Sequence, residues 1–65
     1  MISFDIPANL NGTTLIAELS AVAIKVANNP SYDAPVPTVW EGKLWLDIDS
    51  KDKAKAESVV AAHNG

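Results

Sequence analysis

The chain has 65 residues, a net charge of −3 and no cysteine. So short a chain makes at most one domain and buries about 60% of its unfolded surface, and without cysteine it has neither disulfide nor thiolate metal site. The negative balance and the lack of any arginine argue against nucleic acid as a partner, because phosphates are neutralised by Lys and Arg and guanine is read by Arg.

No apolar run has membrane-spanning length, and no basic segment precedes a long apolar one, so neither a membrane span nor a signal peptide is expected. Absence of cysteine suits a reducing compartment. Composition is that of an ordinary globular domain, at 48% hydrophobic and 20% charged residues.

Ile2-Ser3-Phe4-Asp5-Ile6 alternates apolar and polar without a break. It predicts a first strand with Ile2, Phe4 and Ile6 turned inward and Pro7 as its end. Asn11 is a good helix N-cap, with Thr13 and Thr14 as secondary candidates. Leu15, Leu19, Val22 and Val26 then recur at helical spacing, widened by Ile16, Ala23 and Ala27. The spacing predicts a helix over 12–27, with Glu18, Ser20 and Lys25 off its apolar stripe. Asn28-Asn29-Pro30 closes it, since Pro disfavours helix at the residue before.

Residues 28–37 form a loop with three prolines, which predicts an extended, stiff connection. Tyr32 and Val36 are its candidates for packing back onto a face. Thr38 to Asp49 reads as a hairpin turning at Glu41-Gly42, where Gly accepts the positive φ of a tight turn. That turn sets Trp40 opposite Lys43, Val39 opposite Leu44 and Thr38 opposite Trp45. Alternation then puts Leu44, Leu46, Ile48 and Val39 on one face, the expected core. Trp45, Lys43 and Asp47 share the other face with Trp40 and Thr38. Asp49 or Ser50 caps a second helix, with Asp52 placed well for the helix dipole. Ala56, Val59, Val60 and His63 make its buried stripe, Lys51, Lys53, Lys55 and Glu57 point outward, and Asn64-Gly65 ends it.

The order is strand-helix-strand-strand-helix. The simplest packing is an α+β two-layer sandwich, a three-stranded sheet with both helices on one face. Strand order stays open.

If the helices cover the aliphatic face, the tryptophan face is left open. One Trp buries up to roughly 250 Å², so two approach the ~300–600 Å² of a monomer's largest apolar patch. Either Tyr32 and Val36 fold over them, or Trp40, Trp45, Lys43 and Tyr32 form a contact face for a protein. Trp is enriched at interface hot spots. The partner is then a second copy of this chain, giving a homo-oligomer, or another protein.

Asp47, Asp49 and Asp52 are dense enough to raise, as an alternative, a domain that binds a small ligand or a hard cation such as calcium. They lack the Gly and terminal Glu of an EF-hand, and a strand end running into a charged helix start is the simpler explanation. His63 is the sole histidine, and beside Ala61, Ala62 and Asn64 it reads as a helix-end residue favourable to the dipole when protonated. Lys51, Lys53 and Lys55 read as a solvated helix face. No serine lies in a G-x-S-x-G context. No catalytic residue and no cofactor are therefore expected, and the chain reads as a non-enzyme.

The opening ISFDIPANLNGTTLIAEL, the hairpin VWEGKLWLDI and the ending AKAESVVAAHNG resemble small proteins encoded in bacteriophage structural gene clusters. The resemblance spans most of the chain in layout. It implies a virion-associated or accessory phage protein without enzymatic activity, found in the virion or the host cytoplasm, with a phage or host protein as partner. It brings no functional residues with it.

Overall fold

Glu41 and Gly42 both take positive φ, 51° and 75°. This is the primed turn whose twist matches two strands, here with Glu in place of the usual Asn or Asp. The computed structural model describes residues 1–65. Strand β1 (Ile2–Phe4) leads to helix α1 (Gly12–Ala21), then to β2 (Thr38–Trp40) and β3 (Lys43–Leu46). A 3-10 turn over Ser50–Asp52 opens helix α2 (Lys53–Ala62). The molecule is a small α+β fold with one three-stranded antiparallel sheet, ordered β1-β3-β2.

The hairpin register is the predicted one: Thr38 opposite Trp45, Val39 opposite Leu44, Trp40 opposite Lys43. On the other side of β3, Ile2 faces Leu46, Ser3 faces Trp45 and Phe4 faces Leu44. Strand β3 is therefore central, and α1 carries the chain across it from β1 to β2. Phe4, Leu44 and Leu46 meet Leu15 and Leu19 of α1 and Ala56 and Val60 of α2 in one buried cluster, with Ile24 and Ile48 beside them.

Core assignments change at three places. Ile6 is exposed, because the register that pairs Phe4 with Leu44 would set Ile6 against Gly42 in the turn. Strand β1 accordingly stops at Phe4. Val39 is 53% exposed although its cross-strand partner Leu44 is fully buried. Strand β2 is an edge strand and gives no residue to the buried cluster. Val22, Ala23 and Ala27 are exposed as well, because α1 ends at Ala21 rather than near Ala27.

That early end is a helix stop by main-chain bonds. The Ile24 N–H donates to Leu19 O and the Ala23 N–H to Ser20 O, while Ala23 takes φ 62°. The pattern is a Schellman motif, usually built on Gly. Here Ile24 and Leu19, both buried, supply its apolar contact. The Lys55 Nζ donates to Val22 O at 3.3 Å, adding a cation at the carbonyl end of α1. A left-handed L-residue costs roughly 1–2 kcal/mol. Ala23→Gly is expected to raise stability in urea unfolding by about 0.5–1 kcal/mol, part of the relief being offset by unfolded-state entropy. A loss of stability would contradict the motif.

The loop is not extended throughout. Asn29 closes a turn on itself: its N–H donates to Ala34 O, and its carbonyl accepts from the N–H groups of Tyr32 and Asp33. Its side-chain oxygen accepts from the Ser31 N–H at 2.9 Å, an Asx turn.

Candidate interaction face

Sheet alternation determines what the open face carries. With Phe4, Leu44 and Leu46 turned to the helices, Ser3, Lys43, Trp45, Thr38 and Trp40 turn away from them. Trp40 and Trp45 are diagonal neighbours on this face. Their ring centroids lie 6.2 Å apart at 54°, within the tilted geometry that aromatic quadrupoles favour. The Trp45 Nε1–H donates to Trp40 O at 3.1 Å, so its polar atom is satisfied while its ring stays half-buried.

Trp40 is 60% exposed. Met1, Thr38, Trp40 and Trp45 line a shallow depression of about 250 Å³. Met1 is the residue the sequence reading missed. The alternation Met1, Ser3, Asp5 could have placed it here, since it is in phase with the outward residues of β1. Tyr32 does not line the depression and is 68% exposed at the tip of its turn. The cover of Tyr32 and Val36 over the tryptophans is thus not formed, and Tyr32 is no part of the aromatic patch.

Lys43 joins the face at its charged end. Its Nζ donates to Asp5 Oδ1 at 2.7 Å. That hydrogen bond, with the ammonium charge behind it, holds the Asp5 carboxyl below its ordinary value of 3.8. A carboxyl lowered by folding stabilises above its unfolded value, and the contribution is lost as pH falls through the lowered one. The pair matters fully at neutral pH and fades only in acid below 3.8. A carboxyl-carbon NMR titration should show the Asp5 midpoint rising towards its ordinary value in Lys43→Gln. An unchanged midpoint would dismiss the pair in solution.

The aspartates do not converge. No group of three or more carboxylate, imidazole or thiol side chains is placed to hold a metal ion. Asp49 instead turns its Oδ1 to the Lys51 N–H at 3.0 Å, capping the 3-10 turn. Local capping explains this residue, and the cation alternative loses its geometry.

The partners of His63 are not foreshadowed by its neighbours in sequence. It is buried, 3% exposed, as its place in the stripe of α2 predicts, but it is not a helix-end residue set against the dipole. Its Nε2 accepts from the Asn11 N–H at 3.0 Å, so that nitrogen carries no proton. Nδ1 then carries the hydrogen and donates to Glu18 Oε1 at 2.5 Å. A carboxylate–imidazole pair is the usual framework of a general base. Here the nitrogen that would take a proton is held by a main-chain N–H, and the Gly65 N–H lies 3.4 Å from it. The pair instead ties α1 to the end of α2.

No family model matches the chain, and no curated protein or solved structure does either. No helix is long and apolar enough to cross a membrane.

Proposed function

We propose that this chain is a non-enzymatic protein-interaction module that docks through Trp40 and Trp45, with Met1 and Thr38 beside them and Lys43 at the rim. The observation that carries the reading is Trp40, 60% exposed on a sheet face that neither helix covers. Large aromatics held rigidly in an open patch give contact area at low entropic cost, and Trp leads the residues that dominate interfaces. Trp45 is fixed by its hydrogen bond, so the patch is organised before contact. The partner is a second copy or another protein of phage or host. The phage setting, virion-associated or accessory, rests on the layout of the opening, the hairpin and the closing helix.

Trp40→Ser is expected to change folding stability by less than about 1 kcal/mol, because most of the ring is already in water. It should weaken association by roughly thirtyfold, as a hot-spot residue does. Sedimentation equilibrium over a concentration series reads self-association; comparative capture from host lysate reads a foreign partner. If Trp40→Ser unfolds the chain, the residue is core and the reading fails. Equal association of both proteins would also end it.

A further inference from the structure

The outer edge of β1 runs beside α2, and its main chain has no partner. The two-residue turn makes Trp40 and Lys43 a hydrogen-bonded pair, which sets the alternation along β3. Lys43 and Trp45 turn their main-chain groups to β2, while Leu44 and Leu46 turn theirs to Phe4 and Ile2. The N–H and C=O of Ser3 therefore point away from the sheet. Asp5 continues the same row beyond the strand, and no backbone hydrogen bond of the turns and loops involves it. Ser3 and Asp5 together offer an alternating row of donors and acceptors, the template for an added strand.

A groove of about 470 Å³ follows this edge, between residues 3–7 and the Glu57, Val60 and Ala61 side of α2, with Lys43 at one end. Ser3, Asp5 and Lys43 belong to the open face of the sheet, and Phe4 and Val60 to the helical side. The groove thus lies in the plane of the sheet, where a further strand would sit. Its charge is uneven. Asp5 is paired with Lys43, whereas Glu57 is exposed and has no ion-pair partner.

We propose that the groove between β1 and α2 takes an extended segment of another protein as a fourth strand, with a Lys or Arg of that segment set against Glu57. Main-chain bonds to Ser3 and Asp5 supply affinity, and the Glu57 carboxylate supplies the side-chain preference. A second copy of this chain does not meet the requirement. Its own edge segments, Ile2–Phe4 and Thr38–Trp40, carry no cation. The site stands apart from the tryptophan patch, since neither Trp lines the groove.

The test is selection from a library of random linear peptides against the intact chain. Titration of the enriched peptides into nitrogen-15-labelled protein follows. The expected peptides alternate apolar residues around a Lys or Arg and shift the amides of Ser3, Asp5 and Ala61. Glu57→Lys should cut their affinity about tenfold and turn the selected preference towards Asp or Glu. Ser3→Pro removes an N–H outside the ladder, so it should fold and lose the peptide. If that variant fails to fold, N-methylated peptides remove the same bonds from the other side. Failure to enrich any peptide would overturn the proposal. So would shifts confined to Trp40 and Trp45, or indifference to Glu57→Lys. Dimer formation through β1 would transfer the edge to self-association and overturn it as well.

Discussion

His63→Ala is expected to lower the unfolding free energy by about 2–4 kcal/mol, from a lost buried ring and an orphaned N–H. For a chain of this length total stability is of the order of 3–10 kcal/mol, so the variant approaches the limit of folding. The ring has no exposed side-chain surface. Its removal leaves the Asn11 N–H facing a void at the mouth of α1, where Asn11 also caps Thr14. Glu18 is partly exposed and can rehydrate, so most of the cost falls on the Asn11 side. His63→Gln keeps an acceptor and should recover part of the loss. Urea unfolding of both variants decides it. A loss below about 1 kcal/mol in His63→Ala would show that the ring is not a tie between the helices.

Leu44→Ala and Val39→Ala are expected to differ sharply although the two residues are cross-strand partners on one face. Leu44 is fully buried in the cluster to which both helices contribute, and its truncation should cost about 3–4 kcal/mol through transfer and cavity terms. Val39 is 53% exposed at the edge, and its truncation should cost less than about 1 kcal/mol. Thermal or urea unfolding of the pair measures the contrast directly. Comparable losses would mean that something covers β2 in solution.

These two sites show why parts of the fold could be read from the chain and parts could not. Alternation through Ile2-Ser3-Phe4 and the Glu41-Gly42 turn act over a few residues, and both appear as read. The separation of Trp40 and Trp45 from Leu44 follows from that turn alone, because a one-residue slip would have exchanged the faces. Asn11 caps α1 as expected, its Oδ1 accepting from the Thr14 N–H at 3.1 Å. The end of α1 was misplaced because Ala23 does not announce a left-handed residue as Gly would. What holds Ala23 there is burial of Ile24, together with an Ala27 N–H donating to Asp47 O. Asp47 is remote in sequence from the helix end it holds.

What the chain by itself determined, then, is the set of elements, the hairpin register and the segregation of tryptophans from aliphatics. All of these depend on neighbours within one turn or one strand pair. Only the tertiary structure decided that β3 is central and that Val39 and Ile6 fall beyond the cover of the core. It also decided that Tyr32 leaves the tryptophans open, and that His63 joins Glu18 and Asn11 across separations of 45 and 52 residues. Such choices depend on which surfaces meet, and a buried polar ring is acceptable only where every ring nitrogen finds its partner.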